Sequence, residues 1–176
     1  EGYLTDATIK LRQWQANANV NYVVDEHQSV TLNNVFIATR RKSNDKMYPD
    51  YEMNNVPQQL TKNITGLGYQ IRFSRWNANV FGKMYRLYSS THKLMNQFTE
   101  EQKWEQLTSR KHRYGYGAAA TYYILPSLQA KVSFEHAFRM PEAVEMFGDG
   151  MVQKSNPDLK PESSNNFNAG FLYDQN

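Results

Sequence analysis

The strongest constraint in this chain is a period of two that runs through residues 114–139 and is broken once, in the middle. From Gln129 to Arg139, Ala130, Val132, Phe134, His136 and Phe138 fall on one side; Gln129, Lys131, Ser133, Glu135, Ala137 and Arg139 fall on the other. That alternation is a strand with one apolar and one polar face. Upstream, Tyr114, Tyr116, Ala118, Ala120 and Tyr122 share a face opposite Gly115, Gly117, Ala119 and Thr121. Leu125-Pro126-Ser127-Leu128 joins the two as a tight reversal, because proline interrupts strand pairing and suits turns. The product is a long hairpin whose apolar side is rich in tyrosine.

The same rhythm recurs along the chain. Thr8 to Val24 places Ala16, Ala18, Val20, Tyr22 and Val24 against Asn17, Asn19 and Asn21. After a polar turn at Asp25–Gln28, Ser29 to Arg41 shows Val30, Leu32, Phe36 and Ala38 on one face and Thr31, Asn33 and Thr39 on the other, with Val35 and Ile37 blurring the polar side. Arg40 to Asn63 reads as a loop, polar and punctuated by Pro49 and Pro57. Ile64 to Arg75 is a strand with Leu67, Tyr69, Ile71 and Phe73 facing one way. A turn at Arg75–Ala78 leads to a return strand, Asn79 to about His92, whose apolar face carries Phe81, Tyr85 and Leu87 and is interrupted by Lys83.

Lys93 to Arg113 reads as a second long connection. Thr99 and Gln102 fit a capping box and predict a short helix over 100–109. A third, Met140 to Glu162, predicts a helical turn or two at Pro141–Phe147, with Pro141 suited to the first helical position. Ser163 to Tyr173 is a last strand with Asn165, Phe167, Ala169, Phe171 and Tyr173 on one side. The expected fold is therefore all-β: an antiparallel meander of about seven long strands whose connections alternate short and long. Outer-membrane barrels have short periplasmic turns and long outside loops. By that rule the Asp25, Arg75 and Pro126 turns are periplasmic and the other three connections face outward.

Composition agrees. A mean hydropathy of −0.76 and the lack of any apolar run of about 18 residues rule out a helical membrane span. A barrel strand escapes both tests, since only alternate residues meet lipid. The chain has 12 Tyr and 14% aromatic residues, which suits interfacial girdles. There is no cysteine for a disulfide or thiolate site, and 20 Lys+Arg against 17 Asp+Glu gives no nucleic-acid signal.

Four stretches carry a resemblance: Phe138-Arg139-Met140-Pro141, Glu145-Met146-Phe147-Gly148, Asn156-Pro157-Asp158-Leu159-Lys160-Pro161-Glu162-Ser163 and Ala169-Gly170-Phe171. In this order they resemble the block FRxP…ELFG…NPxLKPExS…xxGxxY of the barrel domains of TonB-dependent outer-membrane receptors, departing from it at Met140 and Met146. The resemblance implies a transmembrane outer-membrane β-barrel with long extracellular loops that carry short helices. Residues 1–176 would be a segment of that barrel domain, with the plug and remaining strands elsewhere. It implies active import of a large scarce nutrient (ferric siderophore, haem, cobalamin or glycan) with energy from TonB. The implied partners are outer-membrane lipid and lipopolysaccharide, the rest of the receptor, TonB through the plug, and the nutrient, with no cofactor and no nucleic acid. A structural or adhesive barrel, an outer-membrane hydrolase and a soluble lipocalin-like binder stay open as alternatives.

No catalytic or metal constellation emerges. His27, His92, His112 and His136 lack ligand spacing, and His136 sits on an apolar strand face. Glu135 and Arg139 share a polar face four residues apart and read as an ion pair of the inner wall. Asp149, Asp158 and Glu162 lack the spacing of a calcium loop. The candidate ligand contacts are the loop aromatics Tyr48, Tyr51, Trp104 and Phe147, which offer rigid surfaces at low entropic cost. Joining them are Arg40, Arg41, Arg110 and Arg113, in basic clusters where strands meet the outward loops. Those clusters serve equally as solvated strand ends or contacts to lipid phosphate.

Overall fold

A computed structural model of the chain describes residues 6–50, 52–95, 103–148, 156 and 158–174, and of residues 93–95, 103 and 104 the backbone only. The elements in chain order are β1 (Ala7–Val23), β2 (Gln28–Asp45), β3 (Gln58–Arg72), β4 (Trp76–Met95), β5 (Lys103–Leu125), β6 (Leu128–Arg139), α1 (Ala143–Phe147) and β7 (Glu162–Tyr173). The seven strands form one antiparallel sheet in the order β1-β2-β3-β4-β5-β6-β7. This is the meander that the period of two demands.

The short ends are chemically specified. Asp25 Oδ1 accepts from the His27 backbone N–H at 2.8 Å, an Asx turn that closes β1 on β2. The Phe73 N–H donates to the Trp76 carbonyl at 2.8 Å between β3 and β4. Only Pro126 and Ser127 separate β5 from β6. At the other end β2 runs out at Asp45, β4 at Met95 and β6 at Arg139, and β3, β5 and β7 begin at Gln58, Lys103 and Glu162.

Several boundaries differ from the sequence reading, mostly because pairing extends a strand into what looked like loop. Arg40 and Arg41 lie inside β2, which continues to Asp45 against β1. β3 begins at Gln58, opposite Arg41. Residues 103–109, expected to be helical, are strand, because Lys103–Ser109 pairs with Met95–Ser89 of β4. The capping box at Thr99–Gln102 lies outside the described residues. The helix in the third connection exists, but Glu142 is its N-cap and Pro141 precedes it.

We call inner the face against which residues 140–148 pack, and outer the opposite one. The outer face carries Val20, Leu32, Leu67, Val80, Tyr116, Phe134 and Phe167, drawn from all seven strands by register. Exposure of apolar groups there is extreme: Tyr114 is 67%, Phe167 72% and Phe171 75% exposed. A soluble sheet does not present so wide an apolar surface to water. The inner face is Asn-, Gln-, Ser- and Gly-rich over its lower half, as at Asn17, Asn19, Asn33, Gly66, Gly68, Asn79, Ser133 and Asn168.

One face assignment is corrected. Phe81, Tyr85 and Leu87 of β4 point inward with Lys83, and the outer side of β4 is Ala78, Val80, Gly82 and Met84. Their bulk has a use: Tyr85 and Leu87, with Leu60, bed the third connection, and Phe81 and Tyr85 lie over Gly117 and Gly115 of β5. Beyond the Tyr116–His136 pair the β5–β6 ladder ends, and the Phe138 ring reaches Tyr85 at 5.9 Å.

A Cβ on Gly117 would meet the Phe134 carbonyl oxygen at 2.7 Å and the Phe81 ring, whereas one on Gly82 would meet nothing within 4 Å. Gly117→Ala is therefore expected to lower stability in detergent by roughly 1–3 kcal/mol, with Gly82→Ala close to neutral. Thermal unfolding of the two variants checks this, and equal shifts would contradict the packing.

Candidate functional site

The inner face holds a strap. The chain leaves β6 at Arg139, turns inward, and packs Met140, Ala143, Met146 and Phe147 on Leu60, Tyr85 and Leu87. Met146 is 0% and Leu60 1% exposed, so this is the driest point among the described residues. Burying such side chains contributes on the order of 1.5–3 kcal/mol each. Gly148 ends α1 at φ 71°, in the left-handed region where glycine alone is unstrained.

Inward cations from four strands hold the strap. From β2, Arg41 Nη1 donates to the Phe147 carbonyl at 2.9 Å and to Gln58 Oε1 at 3.0 Å. From β3, Lys62 Nζ, itself nearly buried, meets Glu142 Oε1 at 2.6 Å. From β5, Lys111 Nζ donates to the Leu159 carbonyl at 2.7 Å. From β6, Arg139 forks to Glu145 at 2.9 and 3.1 Å and to both oxygens of Glu162 at 3.1 Å. The expected Glu135–Arg139 pair is thus corrected: Glu135 takes Lys83 of β4 at 2.7 Å instead. A bond across strands outcompetes one along a strand because register sets the neighbour.

Beside the strap lies a cavity of about 760 Å³ between the tops of β2 and β3 and residues 46–57. Its walls include Met47, Tyr48, Met53 and Val56, its floor Phe147, and its polar groups Arg41, Asp45, Asp50 and His92. Asn54 shapes the loop: its Oδ1 accepts from the Asp45 N–H at 2.9 Å, and its Nδ2 donates to the Tyr48 and Pro49 carbonyls at 2.8 and 3.2 Å. His92 Nδ1 is buried without a hydrogen-bond partner among the described residues. The arrangement offers a molecule an apolar slot with a few directional groups, the usual make-up of a binding site.

The sequence candidates divide. Tyr48, Arg41 and Phe147 come together at the cavity. Arg40 and Arg110 lie on the outer face, Arg110 over the Tyr88 ring at 5.6 Å. Arg113 lies on the inner face, donating to the His112 carbonyl at 2.8 Å. Tyr51, Asp149 and the side chain of Trp104 lie outside the described residues. His136 stays on the outer face, bonded to Asn165 Oδ1 at 2.6 Å. Sequence reasoning missed Lys62, Lys111, Glu142 and His92. For Lys62 and Lys111 the available signal was parity, because an inward cation shares a strand face with Asn and Gly; Glu142 lies off the strands, and His92 has the parity of the outward Gly82 and Met84.

Compared with known proteins, residues 88–176 match the family model described as TonB dependent receptor-like, beta-barrel. No curated protein and no solved structure matches the chain.

The hydrogen bonds from Arg139, and after them the Glu142 backbone N–H, hold the Glu145 carboxyl below the usual carboxylate range. A depressed carboxyl stabilises fully above its unfolded value of about 4.3 and loses that contribution as pH falls through the folded value. Hydrogen exchange over residues 140–148 is expected to be faster in Glu145→Gln than in the parent at pH 7. The gap should persist down to about pH 4.3 and close below it; a pH-independent gap would refute the assignment.

Proposed function

This chain belongs to the TonB dependent receptor-like β-barrel family, an outer-membrane family of receptors and transporters. From that premise we propose that it forms wall and outer vestibule of a receptor that captures a large scarce nutrient outside the cell and imports it with energy relayed by TonB. The observation that carries this reading is the two-sidedness of the sheet. The outer face is apolar and exposed, while the inner face is polar and bears a strapped connection beside a cavity at the long-loop end.

In this reading the sheet is one segment of the barrel. β1 and β7 each have a single neighbour, and a sheet in lipid is satisfied only when its edges are closed by further strands. The Asn- and Gly-rich inner wall borders the path on which a plug sits and through which the cargo passes. Tyr48 and His92 make the cargo contacts in the vestibule, Phe147 supports them, and Arg41 ties the strap to the wall.

The test is uptake. Cells with the gene are expected to accumulate one of four supplied nutrients (ferric siderophore, haem, cobalamin or a glycan), and to stop when TonB is removed. Tyr48→Ala with His92→Ala is expected to weaken cargo binding roughly tenfold or more, in the range of a lost hot spot, with the amount of receptor in the outer membrane unchanged. TonB-independent accumulation, or none of any nutrient, would defeat the reading.

A further inference from the structure

The wall has a step beside β5. That strand runs from Lys103 to Leu125, but its ladder with β6 stops at the Tyr116–His136 pair. β6 ends at Arg139 and β7 begins at Glu162 directly opposite, so neither rises beside the upper part of β5. Phe138 turns away to Tyr85, with ring centroids 5.9 Å apart. The described parts of the third connection lie on the inner face: Met146 and Phe147 pack with Leu60 and Leu87, and the Leu159 carbonyl meets Lys111 Nζ.

Backbone parity says what the step exposes. The Tyr123 N–H donates to the Arg75 carbonyl at 2.8 Å, and the β4–β5 register continues unshifted from Trp76 to Met95. In an antiparallel ladder alternate residues bond to the same neighbour. Odd residues of β5 therefore bond to β4, and even residues direct N–H and C=O to the β6 side. On that side Gln106, Thr108, Arg110, His112 and Tyr114 have no backbone partner among the described residues. All are exposed. The His112 carbonyl is capped by Arg113 Nη1 at 2.8 Å. The free edge is about 27 Å long, at roughly 3.4 Å per residue.

An open edge is a template for another strand. Native sheets guard such edges with charge, and charge also selects among partners. Here the guard is basic throughout: Arg110 and His112 stand outward, Lys111 and Arg113 inward, with no ion pair among the described residues. Glu105, the nearest carboxylate on β5, lies beyond the upper end of this run. A basic strand laid here would be repelled, whereas an acidic one pairs with cations on both faces. A second copy laid antiparallel over the same residues would set Arg110 opposite Arg110, which disfavours self-pairing.

The part of β5 paired to β6, Tyr116 to Leu125, already has the roughly 9–11 residues that cross hydrocarbon. Gln106–Tyr114 therefore stands above the apolar band, where water solvates an unpaired edge and a partner can reach it.

We propose that the upper edge of β5 docks an extended acidic segment of a partner protein at the cell surface, which joins the sheet as a further strand beside Gln106–Tyr114. Main-chain bonds supply the affinity, and the basic side chains the choice of partner. The cell-surface location rests on the receptor reading above; the open edge does not.

The experiment uses the intact receptor purified from outer membranes in detergent. The probe is a short peptide of alternating glutamate and valine. Its controls are the lysine counterpart and a fully N-methylated copy, which donates no backbone hydrogen bond. Binding is read by fluorescence anisotropy, and amide exchange by mass spectrometry at single-residue resolution. In the receptor alone, the amides of Thr108, Arg110 and His112 are expected to exchange faster than those of Leu107, Ser109 and Lys111, and the acidic peptide should slow them. Thr108→Pro deletes an edge donor and leaves the bonds to β4 in place, since proline is tolerated on edges. It is expected to weaken peptide binding roughly tenfold, with thermal unfolding close to the parent's. Arg110→Glu with Arg113→Glu should shift the preference to the lysine peptide.

Protection of the even-numbered amides in the receptor alone would show the edge filled by the receptor's own chain, and would overturn the proposal. So would equal binding of the methylated peptide, equal binding of the glutamate and lysine peptides, or a Thr108→Pro variant that binds as the parent does. Failure of TonB-dependent uptake would defeat the receptor reading and leave these exchange rates unchanged, so the two failures are distinguishable.

Discussion

Everything in this molecule depends on backbone pairing between neighbouring strands. In hydrocarbon an N–H or C=O has no water to turn to, and only a partner strand can satisfy it. The ladder accordingly runs from β1 to β7, and its one register shift among the described residues, between Tyr123 and Leu125, is next to the Pro126 turn. Strands reach 23 residues in β5, where about 9–11 suffice to cross a bilayer. The surplus rises above the apolar band, beside the strap and the cavity. Once the backbone is satisfied sideways, each side chain is free to serve one of two unlike environments.

The inner environment is wet, and several of its charges are paired across elements. Lys83 with Glu135 and Arg139 with Glu145 and Glu162 are pairs across elements, partly exposed and individually weak. Their collective effect is placement, since cations from β2, β3, β5 and β6 converge on one connection. The apolar cluster beneath supplies most of the stabilisation, because Leu60, Leu87 and Met146 leave water almost completely. Arg41 joins the two features. It holds the Phe147 carbonyl of the strap and Gln58 of the wall, so a displacement of the strap is felt at the cavity floor.

The outer environment has the opposite character. Its apolar band is made of single residues contributed by each strand, and no segment of the chain is apolar enough to reveal it as a run. The cations at its upper margin have no ion pair among the described residues. Among the described residues it carries strand cations and no strand carboxylate, with outward aromatic residues below them.

The order of strands, the alternation of short and long connections and most outward residues were legible from the sequence, because a period of two is a local property that Phe134 or Leu67 displays among its immediate neighbours. Family membership was legible for the same reason, in the run from Phe138 to Phe171. Local pattern does not say which strand positions meet. Lys103–Ser109 has a helix-like opening, yet becomes strand because β4 offers it a partner. Phe81, Tyr85 and Leu87 look like a lipid-facing set, yet turn inward because register lays them over Gly115, Gly117 and the strap. Glu135 and Arg139 look like a pair until Lys83 and Glu162 arrive from other strands. Arg40 and Arg41 are one residue apart and sit on opposite sides of the wall, one for the cavity and one for the surface. The alternation by itself determined a two-faced sheet; only the assembled register decided which face received each charge, because that depends on residues far away in the chain.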